Sequence, residues 1–448
     1  LSAPQPLLPR AFKEASLAAL IVGGLSYPII AFRAEPDFNN ALALTSRWPL
    51  FFIFCALGFG LRFLLTLWSG RPKAARSEAA PTLRKPGAAT KNRWLAPLGL
   101  AALVAYPIVI LVVLGPQAAL KWVDTFGVQI LLYILLGWGL NIAVGLAGLL
   151  DLGYAAFYAV GAYAYALLVP LTGLSFWALL PVCGLLAAFW GFCIGFPVLR
   201  LRGDYLAIVT LAFAEIVRIV LVNWDVVTHG EAGLFGFPPV TFFGLPFIPG
   251  PRGFAAHVGL PFAAVHKLIF LYFVVLALAL LANFVSIRLR RLPLGRAWEA
   301  LREDEIACRA LGLDTANIKL TAFALGAFFA GIAGCIFALR QGVVSPSSFT
   351  FNESATILAI VVLGGRGSQW GVALAAVLIV GASELLRELS FLKAIFGPDF
   401  DPAQYRMLLV GLAMVAMMNF RPRGIVSARQ PTITLPPAGG RPPARGRA

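Results

Sequence analysis

Apolar residues recur along this chain in runs long enough to cross a lipid bilayer, separated by short polar or basic connections. About 20 mostly apolar helical residues span the hydrocarbon core. The pattern predicts such spans near 16–32, 48–68, 94–114, 127–147, 154–170, 176–198, 205–222, 268–287, 319–339, 370–388 and 404–420. A further apolar stretch, 353–365, is too short for a full crossing and predicts a broken or re-entrant helix. The expected fold is all-α, a polytopic integral membrane helical bundle. It has about 10 core transmembrane helices and a two-helix N-terminal extension.

The connections differ in charge. Segment 69–93 carries Arg71, Lys73, Arg76, Arg84, Lys85, Lys91 and Arg93 against a single acid, Glu78. Segment 288–319 carries Arg288, Arg290, Arg291, Arg296, Arg302, Arg309 and Lys319, and the stretch after Phe420 has six arginines and no acid. Cytoplasmic loops of membrane proteins hold such an excess, so all three are expected inside. The long loop 223–267 has only Arg252 and Lys267 and is expected outside, in the periplasm. The parity of the spans agrees with these placements and puts both termini in the cytoplasm. The expected division is a membrane extension 1–68, a basic linker 69–93, a main helical bundle 94–427 and a disordered tail 428–448 rich in Pro, Gly and Arg. The first span is taken as a membrane helix and not a signal peptide, because Arg33, Glu35 and Asp37 follow it without a small-residue cleavage site.

Composition strengthens the membrane reading and narrows the chemistry. Of 448 residues 60% are hydrophobic and 12% charged, too few charges to cover a soluble domain of this size. The net charge of +16 is accounted for by the loops, so nucleic acid is not an expected partner and membrane lipid is. Five scattered cysteines (Cys55, Cys183, Cys193, Cys308, Cys335) and three histidines (His229, His257, His266) form no metal-ligand spacing and no disulfide framework. No GxxxxGK[ST] loop occurs. ATP-driven work would need another chain, and no enzymatic site or cofactor is expected.

Three groups of residues invite a functional role. Charges inside membrane spans are costly and usually functional: Asp151 in LLDLGY, and Glu215 with Arg218, three apart in span 205–222, where a structural ion pair is the alternative. Asn141 and Glu353 are weaker members, and Glu384 and Arg387 sit near a helix end, where long side chains reach water. Gly145, Gly148 and Gly153 belong to a glycine-rich stretch over 137–161 that permits either close packing or unwound backbone along a pathway. Gly326, Ala330, Gly334 and Ala338 repeat every four residues as a packing face. The third group is cytoplasmic. Trp298 to Leu311 has helical composition, Gly312 is placed to stop the helix, and Glu305 precedes Arg309 in the favourable i,i+4 order. With Ile306, Ala310, Leu311 and Leu313 on its apolar edge, this is either a charged loop with a helical turn or a helix that fits a groove on another protein.

The stretch EDEIACRALGLDTANIKLTAF at 303–323 resembles the coupling loop of ABC importer permeases. Glu305 stands seven residues before Gly312, where the general pattern has six, and Ile306 replaces its first Ala; that form suits the branched-chain amino acid branch. WGLNIAVGLAGLLDLGYAAFYAVGAYAYALL at 138–168, RGDYLAIVTLAFAEIVRIVLVNW at 202–224, THGEAGLFGFP at 228–238 and SPSSFTFNESATILAIVVLGGRGSQWG at 345–371 are similar to the same family, in family order. The extension and basic linker resemble the LivM type. The resemblance implies an inner-membrane permease subunit for branched-chain amino acids. It would work with a LivH-type second permease, two cytoplasmic ABC ATPases and a periplasmic amino-acid-binding protein. It also implies ATPase coupling through Glu303, Asp304, Glu305, Ile306, Ala307, Arg309, Ala310, Leu311 and Gly312. Permeases for urea, amides or other amino acids are close alternatives, and a secondary transporter without ATPases or a membrane scaffold are alternatives of another class.

Overall fold

The computed structural model describes residues 95–199, 201, 204–238, 240–242, 245–247 and 263–388, the paired segments 32–36 and 42–46, and scattered positions between 12 and 63 and between 408 and 426. The linker 69–93 and the tail 428–448 lie outside the described residues, and spans 16–32, 48–68 and 404–420 are described only in part. The chain divides into two units, Leu1–Arg93 and Trp94–Ala448.

In the first unit helical positions lie between Phe12 and Ala19 and again between Trp48 and Phe63. The rings of Phe12 and Phe59 meet edge-on with centroids 5.5 Å apart. Between them strands β1 (Phe32–Pro36) and β2 (Leu42–Ser46) pair antiparallel, with Phe32 opposite Ser46 and Pro36 opposite Leu42. This hairpin occupies the stretch between the two expected spans. The run Asp37-Phe38-Asn39-Asn40 is rich in turn formers, and Leu42 and Leu44 alternate with smaller residues at the period of a strand.

The second unit is helical: α1 (Leu95–Lys121), α2 (Ile130–Leu140), α3 (Tyr154–Thr172), α4 (Phe176–Val198), α5 (Asp204–Asn223), α6 (Val265–Arg291), α7 (Pro293–Glu303), α8 (Glu305–Ala310), α9 (Thr315–Gln341), α10 (Phe351–Gly364) and α11 (Gln369–Glu388). Among the described residues seven segments are long and apolar enough to cross a membrane, and Gln369–Leu385 is a shorter apolar helix. One of the seven, Gly99–Leu146, is 48 residues. At about 1.5 Å per residue it is more than twice the hydrocarbon thickness. It is interrupted at Gly115, which leaves helical geometry at φ 77° and is followed by Pro116, a residue suited to start a helix. The open link expected over 115–126 is therefore only this break. Helix resumes at once, and π-helical turns over Trp122–Gln129 and Asn141–Leu146 flank α2. The short span expected at 353–365 is lengthened by a 3₁₀ turn at Pro346–Phe349 that leads into α10.

Lipid tails are as apolar as leucine, so membrane helices are held by close packing and hydrogen bonds, not by hydrophobic exclusion. The centre of the bundle is α9, packed on α3 and α4. Its small face, Gly326, Ala330, Gly334 and Ala338, is buried. A Cβ on Gly334 would overlap the Tyr158 carbonyl and the Ala162 amide of α3, which is why this face carries packing. Tyr154 donates its hydroxyl to the Gly326 carbonyl (3.0 Å) and Tyr272 to that of Leu103 (2.7 Å). Opposite the α7–α8 end, Arg340 binds Asp124 at 2.7 Å and Gln129 at 3.2 Å.

Candidate translocation and docking sites

The α7–α8 segment is shaped by local rules. Leu292 is extended before Pro293, which occupies the first turn of α7. Trp298 and Leu301 are the buried face. The Trp298 indole N–H donates to the Ile318 carbonyl at 3.0 Å, which pins α7 to the base of α9. The single helix expected from Trp298 to Leu311 is instead two. Asp304 leaves helical geometry (φ −155°, ψ 108°) and caps α8, accepting hydrogen bonds from the amides of Ile306 (2.8 Å) and Ala307 (3.0 Å). An Asp side chain that satisfies two orphan N–H groups outweighs continuation of a surface helix. Gly312 ends α8 in the left-handed region (φ 80°). Its N–H bonds the Arg309 carbonyl and that of Leu313 the Cys308 carbonyl, the paired closure of a Schellman turn.

Of the nine residues assigned to coupling, Glu303, Asp304, Ile306, Ala307, Arg309, Ala310, Leu311 and Gly312 are exposed and Glu305 is half-buried. Ile306 is 69% and Leu311 81% exposed, an apolar pair that none of the described residues covers. Glu305 binds Arg309 at 2.9 Å, and also Lys319 at 2.8 Å. Lys319, where the expected basic segment meets the expected span 319–339, has a side chain only 5% exposed, at the foot of α9. Burial, together with Asp304 and Glu305, raises the pKa of the Cys308 thiol and keeps it protonated.

The pathway residues do not form one site. Asn141 and Gly145 lie together in the second π-helical turn. Asn141 is fully buried, and its Oδ1 accepts the Gly367 amide at 2.8 Å from the α10–α11 turn. A Cβ on Gly145 would overlap that contact. Arg302 of α7 donates to the Gly145 carbonyl and passes close to Gly148 and Gly367. Trp138 donates to the Gln369 carbonyl at 2.9 Å. One residue of α7, absent from the expected site set, thus touches both the second π-helical turn and the α10–α11 turn.

Asp151 and Gly153 form a second group, at the start of α3. The Asp151 carboxylate accepts the Gly153 amide at 2.8 Å, Thr210 of α5 accepts that of Leu152 at 3.1 Å, and Ser354 of α10 accepts that of Ala155 at 2.9 Å. The first N–H groups of a helix need such partners. Asp151 here serves the backbone, and Thr210 and Ser354 escaped sequence reading because polar hydroxyls in apolar runs carry no spacing signal. Glu353 is at the other end of the bundle, where Tyr133 donates to both of its oxygens at 3.1 and 2.8 Å.

Glu215 and Arg218 stand apart, joined by a two-point ion pair with contacts of 2.5 to 3.1 Å. Their side chains are 45% and 28% exposed on α5, the span with the second-smallest buried share. An unpaired charge at mid-span costs on the order of 3 kcal/mol on insertion scales. Glu215→Gln and Arg218→Met are each expected to lower the amount of inserted chain several-fold, and the double substitution to lower it less. Quantitative immunoblotting of membranes checks this; additive losses would show that the two act separately.

The profile of the family described as branched-chain amino acid transport system permease component matches residues 123–418, and that of a domain of unknown function (DUF3382) matches residues 10–106. The chain is 48% identical over 397 residues to the high-affinity branched-chain amino acid transport system permease protein LivM of Escherichia coli (strain K12), covering 87% of this chain and 88% of that protein. It is 28% identical over 259 residues to the probable LivM of Methanocaldococcus jannaschii, covering 56% and 69%. To LivH of Escherichia coli (strain K12) it is 26% identical over 262 residues, covering 57% and 81%. No solved structure matches. With a helical membrane bundle, a profile match over most of that bundle and 48% identity across most of its length to a branched-chain amino acid permease, this chain belongs to the family of branched-chain amino acid transport permease components.

Proposed function

We propose that this chain is the membrane-spanning subunit of an ATP-driven importer for branched-chain amino acids. It pairs with a LivH-type permease, two cytoplasmic ATPases and a binding protein that delivers substrate. Its sides are those of the positive-inside rule: 69–93, α7–α8 and the C-terminal stretch in the cytoplasm, 223–267 in the periplasm. Within the chain, 1–68 is a membrane extension and 94–427 the transport domain.

The observation that carries the reading is the linkage of α8 to the bundle. The exposed Ile306 and Leu311 present an apolar knob, Trp298 fixes α7 to α9, and Arg302 holds the carbonyl of Gly145 beside the α10–α11 turn. Closure of ATPases gripping α8 would move α7 as a lever, and Arg302 would pass the motion to two segments already out of regular helix. Breaks and π turns are where a helix bends at least cost. Substrate passes as a zwitterion with an aliphatic side chain, along a path that need not hold it tightly.

Reconstitution of the five-component assembly in liposomes tests this directly. ATP-dependent uptake of leucine that requires every component is expected; uptake without the ATPases would overturn it. Orientation is tested with single cysteines in a background lacking Cys55, Cys183, Cys193, Cys308 and Cys335. An impermeant maleimide on intact cells should label 223–267 and spare 69–93, and labelling of 69–93 would reverse the topology.

A further inference from the structure

At the bundle end opposite α7–α8, a cleft of about 290 Å³ opens between α2, α10 and α11. At about 30 Å³ per water-sized atom it has room for on the order of ten such atoms, the size of a free amino acid. Its walls carry opposite chemistries. Glu353 and Glu384 both line it; Glu384 is 8% exposed, and Tyr133 fixes the orientation of the Glu353 carboxylate. The start of α10 also lies in the wall, with Ser348 and Thr350, and no side chain caps that helix. Helix N-termini offer N–H groups and a partial positive charge to anions. Ile379 and Val380 of α11 add an apolar patch.

We propose that this cleft receives the transported amino acid as a free zwitterion. Its ammonium lies between Glu353 and Glu384, its carboxylate at the start of α10 by Ser348 and Thr350, and its aliphatic side chain on Ile379 and Val380. The inference rests on the transport reading above and deepens it. The chain path supports it independently. Loop 223–267, on the face assigned to the binding protein, pairs through β3 (Leu234–Phe235) with β4 (Val343–Val344), and β4 leads straight into the cleft wall at 346–353. Substrate released at that loop would be set down beside this cleft. A carboxylate pair raises the local concentration of cations about tenfold or more in a cleft, which gives a readout independent of uptake.

The test uses the full assembly in liposomes, with a single cysteine at Thr356, a wall residue with no part in the recognition described. A cationic thiosulfonate reagent added from outside is expected to modify Thr356→Cys about tenfold faster than an anionic one of equal size. Leucine with the binding protein should slow both. Adding Glu353→Gln and Glu384→Gln should erase the charge preference and the protection. Equal rates for the two reagents, absence of protection by leucine, or a preference that survives both glutamine substitutions would each overturn the proposal. The first two need no carboxylate variant, so a failure of those variants to fold does not rescue it. If the Thr356→Cys assembly transports leucine but shows neither preference nor protection, the cleft falls and the transport reading stands. If the unsubstituted assembly shows no ATP-dependent uptake, the transport reading itself falls.

Discussion

Leu311→Asp and Ile306→Asp are expected to leave the chain in the membrane at normal levels and to abolish substrate-stimulated ATP hydrolysis. Both side chains are mostly exposed, 81% and 69%, so the fold gains little from them, and exposed substitutions of this kind cost within about 0.5 kcal/mol. A residue that fills a groove on a partner is different: losing a central apolar anchor costs about 2 kcal/mol or more, roughly a thirtyfold loss of affinity. Co-purification of the ATPases with tagged permease, at matched membrane levels, measures it. Retained ATPase with retained coupled uptake would make α8 a plain surface turn. Gly312→Val should act in the same direction, since a left-handed backbone costs a side-chain-bearing residue about 1–2 kcal/mol and the Schellman closure would fray. Glu305→Arg is a poorer probe than its position in the helix implies. It would set a guanidinium against the buried Lys319, and an uncompensated buried charge costs about 3–5 kcal/mol. The amount of folded chain is therefore expected to fall along with coupling.

Arg302→Ala is expected to preserve assembly with the ATPases while cutting the amino acid moved per ATP hydrolysed at least about tenfold, since a charge-assisted hydrogen bond contributes about 1.5–3 kcal/mol. Arg302 points away from the exposed knob, toward Gly145 and Gly367. Its loss would uncouple the lever without loosening the grip. Arg302→Lys keeps the charge but not the planar fork and should fall between the two. Parallel assays of uptake and hydrolysis in the same liposomes give the ratio. An unchanged ratio in Arg302→Ala would remove Arg302 from the transmission path.

The residues that were legible in advance are those whose meaning is local. Apolar run length marked the spans, because the thickness of the bilayer is a property of the solvent and not of the fold. Gly312 was readable because only glycine enters the left-handed region freely, and Glu305–Arg309 and Glu215–Arg218 because helix geometry brings residues three and four apart together. The break at Asp304 was also local, but helical composition on both sides hid the cap. The tertiary structure alone decided which distant residues meet. Arg302 and Gly145 are 157 residues apart, Ser354 and Ala155 are 199, and Tyr133 and Glu353 are 220. In lipid no hydrophobic stripe dictates which helix faces inward, so periodicity says little about neighbours. Those are selected by where glycine and alanine let two backbones touch, as at Gly334 against Tyr158, and by which polar groups then fall within hydrogen-bond reach.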